Sequence, residues 1–216
     1  MIRTLMSLLV MTSLTLGGCS DGEGEPQPKT PKIESGEAKN EVVITTNQGI
    51  IRVEVYPDRS PVSVKNFLGY IERGFYEGLV FHRVIPAFMI QTGGFTEKLA
   101  KKPPGPPIKN EATNGLSNLR GTLAMARTGV VDSATSQFFI NLADNKRLDH
   151  RGKEPRKYGY TVFGKVIEGM DVVDSIAGMK TICPSRDRAP CKEAGVPTGM
   201  RDVPKDPIII EKVELD

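Results

Sequence analysis

From Glu41 the chain alternates apolar and polar residues at a period of two. Val42-Val43-Ile44-Thr45-Thr46 runs into a turn at Asn47-Gln48-Gly49, and Ile50-Ile51-Arg52-Val53-Glu54-Val55-Tyr56 alternates beyond it, which predicts a β-hairpin. The period then changes. Ser60 is placed to cap a helix that starts at Pro61, with Val64, Phe67, Leu68 and Ile71 at helical spacing and Gly74 as its stop. Residues 79–85, 87–91, 121–127, 136–143, 160–166 and 207–215 are short runs rich in β-branched or aromatic side chains, bounded by turns, and predict strands. A second helix is predicted over Met170–Ala177, with Val173 and Ile176 inward and Gly178 ending it. Eight strands with one early and one late helix predict a mainly β fold, a closed antiparallel eight-stranded β-barrel with two capping α-helices.

Residues 1–40 follow neither period. Arg3, the apolar stretch 5–16 and the small residues Gly17 and Gly18 make residues 1–18 an export signal. As a helix this stretch would reach only about 22 Å, short of a hydrocarbon core of about 30 Å, so a transmembrane anchor is the weaker reading. Leu16-Gly17-Gly18-Cys19 resembles the lipobox of bacterial lipoproteins, in which the cysteine is acylated and becomes the mature N-terminus. Ser20 after it resembles the sorting pattern of outer-membrane lipoproteins. The expectation is a lipid-anchored protein of the bacterial cell envelope facing the periplasm, with the outer membrane favoured over the inner and the cell surface as an alternative. Residues 19–40 hold only Ile33 and Ala38 as apolar side chains, too few to offset the entropy of ordering, and are read as a disordered tether. Residues 41–216 form the folded domain.

Composition narrows the chemistry. The 22 glycines and 16 prolines among 216 residues signal many turns and short strands, not disorder. A net charge of +3, spread without a basic stripe, argues against nucleic acid as a partner. Two histidines, His82 and His150, and three cysteines supply too few ligands for a zinc site, so metal catalysis is not expected. Residues 101–107, Lys-Lys-Pro-Pro-Gly-Pro-Pro, read as a rigid surface loop before they read as a polyproline ligand, because they lie between strands. Cys183 and Cys191 close a short proline-containing loop after the second helix, and export would deliver them to an oxidising compartment, so a disulfide between them is expected.

There is no G-x-S-x-G elbow, phosphate loop, H-E-x-x-H or dinucleotide fingerprint, which removes support for hydrolase, kinase and dehydrogenase readings. What remains is the block Phe81-His82-Arg83-Val84-Ile85-Pro86-Ala87-Phe88-Met89-Ile90-Gln91-Thr92-Gly93-Gly94-Phe95, then Ala124-Met125-Ala126-Arg127 and Ser136-Gln137-Phe138-Phe139-Ile140. Strand alternation puts Met89 and Gln91 on one face of their strand, and Gln137 and Phe139 likewise on one face of theirs. A groove built so would set the apolar Phe88, Met89 and Phe139 beside amide groups. By periodicity alone those three side chains are ordinary core. Arg83 alone would be a solvated face residue, but between Phe81 and Ile85 it is a charge in apolar company, costly unless used. His82 points the other way, and both histidines are read as ordinary surface or loop residues.

These blocks resemble the cyclophilin signature. The resemblance runs from about Val42 to Val213 and is similar in pattern to periplasmic bacterial cyclophilins, with Pro-Pro-Ile-Lys-Asn-Glu-Ala at 106–112 and Ala-Asp-Asn-Lys-Arg-Leu-Asp-His at 143–150. It implies a peptidyl-prolyl cis-trans isomerase, monomeric and without cofactor, acting on proline-containing unfolded or exported polypeptides. Arg83 and Gln91 are the implied catalytic residues. Phe88, Met89, Ala126, Arg127, Gln137, Phe139, Arg147, Leu148 and Tyr160 are the implied substrate-binding set. Arg147 stands where many relatives have Trp and Tyr160 where many have His. The macrocycle cyclosporin, which many cyclophilins bind through that indole, is therefore expected to bind weakly. A chaperone-like binder of unfolded segments and a docking scaffold for one proline-containing partner are the rival readings.

Overall fold

The computed structural model describes residues 40–185, 195–197 and 199–216. The signal segment, Cys19 with its tether, and Cys191, the expected partner of Cys183, lie outside the described residues. The elements in chain order are β1 (Glu41–Thr46), β2 (Gly49–Val55), α1 (Pro61–Glu72), β3 (Arg83–Ile85), β4 (Met89–Thr92), β5 (Thr122–Met125), β6 (Phe138–Asn141), β7 (Val162–Glu168), α2 (Met170–Ala177), β8 (Thr181–Ile182), β9 (Val203–Pro204) and β10 (Ile210–Leu215). Eight of the strands form one antiparallel sheet in the order β10-β1-β2-β7-β5-β6-β4-β3, while β8 and β9 pair separately.

The sheet is an open, strongly curled half-barrel and not the closed barrel expected. Its edges are β3 and β10, and closure would need a ladder between them. Among the described residues this side is joined by an isolated bridge, Val80 to Ile209, and by hydrogen bonds such as those from Phe81 N to Ile208 O (3.0 Å) and from Ile210 N to Leu79 O (2.8 Å). The predicted strand 79–85 shrinks to Arg83–Ile85 because its backbone is shared out. Val80 N donates to Phe95 O (2.9 Å) and Val84 N to Asp202 O (2.8 Å), so no one neighbour receives a continuous row.

The period-two pattern sorts side chains onto two apolar faces. Ile51 and Val53 of β2, Val84 of β3, Ile90 of β4, Leu123 of β5, Phe138 and Ile140 of β6 and Phe163 of β7 enter the main core. There α1 delivers Phe67, whose ring centroid lies 5.2 to 5.5 Å from those of Phe163, Phe138 and Tyr76. Rings at this spacing gain beyond simple burial. The intervening residues Met89, Ala124, Phe139 and Val162 form a second, smaller cluster on the opposite face. Strands β5 and β6 are thus buried on both faces, which is why Phe138-Phe139-Ile140 is an unbroken apolar run.

Helix α2 spans Met170–Ala177 as predicted, with Val173 and Ile176 fully buried. Helix α1 starts at Pro61, but Ser60 does not cap it. Buried beneath the helix, Ser60 Oγ donates to Val162 O (2.8 Å) and accepts from Asn114 Nδ2 (2.7 Å). The cap comes from Glu111, whose carboxylate accepts from Val62 N (3.0 Å), Ser63 N (2.8 Å) and Ser63 Oγ (2.7 Å). A carboxylate here also meets the positive end of the helix dipole. Among the described residues, no helix is long and apolar enough to cross a membrane, and no group of three or more His, Cys, Asp or Glu side chains is placed to hold a metal ion.

Candidate active site

The second apolar face becomes a groove because register lines up one row of side chains across five strands. Arg83 lies opposite Gln91, Gln91 opposite Phe139, Phe139 opposite Ala124 and Ala124 opposite Val162. The row therefore grades from charged to amide to apolar. Arg83 and Gln91 are brought to one edge of a hydrophobic floor by pairing alone. The β3–β4 turn supplies the rest of that edge: Ala87 takes φ 58, and Phe88 N donates to Ile85 O (3.1 Å), which sets Phe88 beside Met89.

Nine of the expected residues, Arg83, Phe88, Met89, Gln91, Ala126, Arg127, Phe139, Leu148 and Tyr160, line one cavity of about 210 Å³. That is below the roughly 300 to 1,000 Å³ of a pocket for a drug-sized ligand, and suits a short stretch of peptide. The other two expected residues flank it. Gln137 accepts from Gln91 Nε2 through Oε1 (2.8 Å), so the two amides are ordered as a pair. Gly93, at φ 86, and Gly94 make room for them, since a Cβ on Gly94 would lie 2.4 Å from Gln137 Nε2. Arg147 is exposed and stacks its guanidinium over the Phe88 ring, 4.7 Å from the centroid.

The far wall is Tyr160, edge-on to Phe139 with centroids 5.7 Å apart and carrying the Arg127 guanidinium 4.9 Å above its own ring. Arg127 is tied down by donating to Gly159 O (2.8 Å), Thr128 O (3.0 Å) and Pro155 O (2.7 Å), which makes it a buttress for this wall. Asn145 Nδ2 donates to both Phe88 O and Asn141 Oδ1, each at 2.8 Å, and so ties the turn bearing Arg147 and Leu148 to the Phe88 backbone.

Two expectations are corrected here. Arg83 is not simply a charge in apolar company: its side chain is 40% exposed, and its Nε lies 3.6 Å from Oδ2 of Asp202, a carboxylate only 5% exposed. The sequence had offered no period or motif linking Asp202 to β3. His82 is not a surface residue: it is 4% exposed and packs on Phe95 with centroids 4.7 Å apart, and its Nδ1 has no hydrogen-bond partner. Burial, and to a smaller extent the Arg83 charge, hold its imidazole down at about 4 against a raising hydrogen bond to the Val80 backbone. His150 is a part-buried loop residue whose Nδ1 lies 2.8 Å from Tyr158 O.

A mainly β half-barrel with two helices, carrying a small cavity in which Phe88, Met89 and Phe139 meet an arginine and a glutamine pair, is the cyclophilin fold. The chain belongs to the cyclophilin type peptidyl-prolyl cis-trans isomerase family, whose pattern matches residues 41–215. Peptidyl-prolyl cis-trans isomerase A of Dickeya dadantii is 48% identical over 174 residues, covering 81% of this chain and 83% of its own. Peptidyl-prolyl cis-trans isomerase B of Escherichia coli is also 48% identical, over 81% of this chain and 98% of its own. Among solved structures, a cyclophilin type isomerase of Cryptosporidium parvum, crystallised in the presence of the dipeptide Ala-Pro, superposes with a TM-score of 0.61 at 25% identity, over 82% of this chain and 98% of its own. The chain is a peptidyl-prolyl cis-trans isomerase.

Proposed function

We propose that the protein acts in the bacterial cell envelope, anchored by lipid on Cys19, and isomerises X-Pro bonds of exported polypeptides as they fold. The observation that carries the site assignment is the row Arg83-Gln91-Phe139 at the mouth of the 210 Å³ cavity. A proline ring sits on Phe88, Met89 and Phe139 while Gln91 and Gln137 hold the peptide backbone, with Ala126, Leu148 and Tyr160 closing the wall.

Rotation about an X-Pro bond takes tens to hundreds of seconds because amide resonance sets a barrier of about 18 to 20 kcal/mol. No bond breaks, so no nucleophile is needed. In the twisted state the prolyl nitrogen regains its lone pair and accepts a hydrogen bond, which Arg83 donates. Reaching about 10 turnovers per second requires lowering the barrier by roughly 4 kcal/mol. A charge-assisted hydrogen bond contributes about 1.5 to 3 kcal/mol. The rest comes from removing water from the amide where the proline ring packs on Phe88, Met89 and Phe139, since polar solvent favours the planar form.

The envelope assignment is supported by the signal-like residues 1–18 and the lipobox-like Leu16-Gly17-Gly18-Cys19. The same location supports a bridge between Cys183 and Cys191 and a monomer working at the end of its tether. Mass spectrometry of the mature N-terminus from the native host tests the anchor: a diacylated or triacylated Cys19 is expected, and an unmodified N-terminus would make the protein a soluble one. For the client class, exchange NMR on an Ala-Pro peptide should show catalysed isomerisation, and binding without exchange would favour a holdase instead.

A further inference from the structure

Arg83 is held from behind by a residue of the segment between α2 and β10. Asp202 Oδ2 lies 3.6 Å from Arg83 Nε. Asp202 is itself fixed at every polar atom. Its N–H donates to Cys183 O (3.1 Å), its carbonyl accepts from Val84 N (2.8 Å), Oδ1 accepts from Ser185 N (2.6 Å), and Oδ2 accepts from Ser185 Oγ. It takes φ 60, a left-handed conformation that a residue other than glycine keeps only where its surroundings impose it. Through Val84 it grips the backbone of β3 one residue beyond Arg83, and through its carboxylate it meets the Arg83 side chain. The strand and the guanidinium are thus set against one buried anion.

We propose that Asp202, seated by Ser185, is a positioning residue for isomerisation: it takes up Arg83 Nε and keeps the Nη groups on the cavity side, where the prolyl nitrogen is presented. This rests on the reading of Arg83 as the donor to that nitrogen. An arginine side chain carries several rotatable bonds, and one that is 40% exposed would otherwise sample solvent. Fixing it before substrate arrives is the preorganisation that makes a donor effective in the twisted state. Asp202 and Ser185 then belong to the catalytic apparatus, although neither lines the 210 Å³ cavity.

Asp202→Asn removes the charge and retains an oxygen for Ser185. It should lower kcat/KM on an Ala-Pro peptide about five- to tenfold while peptide affinity, by NMR titration, stays within about twofold. In an Arg83→Ala background the same substitution should cause no further fall, whereas a residue that merely supports the fold would lower the rate in both backgrounds. Ser185→Ala, which keeps the charge but loosens it, should cost about two- to threefold by the same criteria. If Asp202→Asn has no cooperative thermal transition, Ser185→Ala read in both backgrounds decides. Wild-type kcat/KM in the folded variants, an equal fold-loss with and without Arg83, or a loss confined to peptide affinity would overturn the positioning role. Wild-type activity in Arg83→Ala alone would remove the donor, and with it this role.

Discussion

Along the row that crosses β3, β4 and β6, each side chain is fixed by one named neighbour: Arg83 by Asp202, Gln91 by Gln137, Phe139 by Tyr160. His82 faces the other way and sets a pH dependence of stability. Its folded value is about 4 against an ordinary 6.5, so the unfolded chain binds a proton that the folded one refuses. The contribution is fully present above pH 6.5 and is lost as pH falls towards about 4, amounting to about 3 kcal/mol. Denaturant midpoints measured across this window should fall less steeply in His82→Phe than in the wild type, and parallel curves would contradict the assignment. Because His82 is neutral above that window and a guanidinium donor is not deprotonated in proteins, kcat/KM should be nearly flat from about pH 6 to 8.5, where a bell-shaped profile would reveal a titrating group. Arg147, an exposed arginine stacked on the Phe88 ring, carries more rotatable bonds than a rigid indole and is a poor substitute for one. Wild-type inhibition by cyclosporin should therefore be weak, by about 2 kcal/mol or 30-fold, and partly recovered in Arg147→Trp. A nanomolar inhibition constant for the wild type would contradict this. The side chains of the pocket were readable because most of them fall in three short motif blocks, 81–95, 124–127 and 136–140, with Leu148 and Tyr160 beyond them. Asp202 and the burial of His82 were not, because both depend on which distant segment covers β3.

At the level of elements, the two helices and the eight strands of the main sheet were visible as changes of hydrophobic period, and β5 and β6 as short unbroken apolar runs. Closure and capping were not. Whether β3 meets β10 depends on where the Val80, Phe81 and Val84 amides go, and they go to Phe95, Ile208 and Asp202. The cap of α1 failed as a local inference for the same kind of reason: Ser60 has the right residue type in the right place, but it is buried under the helix and bonded to Val162 and Asn114. A glutamate on a separate loop does its work. Glu111→Ala should lower stability by about 1 to 2 kcal/mol in a denaturant titration, because two helix N–H groups and the Ser63 hydroxyl lose their acceptor. A change within error would mean that water replaces the carboxylate without loss.

For the whole molecule, a half-barrel gives the main core to one face of the sheet and leaves the other face, at β3 to β6, free to form a groove. The strands that floor the groove are buried on both sides, so the site inherits the rigidity of the core, while Arg83 sits at the sheet edge, where a separate segment can adjust it. The same layout separates catalysis from stability. Arg83 is partly exposed and contributes little packing, so its truncation should leave the fold within about 1 to 2 kcal/mol of the wild type. The most direct test of the account is exchange NMR on an Ala-Pro peptide with wild type and Arg83→Ala side by side. The account predicts that kcat/KM falls tenfold or more in the variant, an order-of-magnitude expectation for loss of a transition-state donor, with its thermal transition retained. Wild-type exchange rates in a folded Arg83→Ala protein would contradict it.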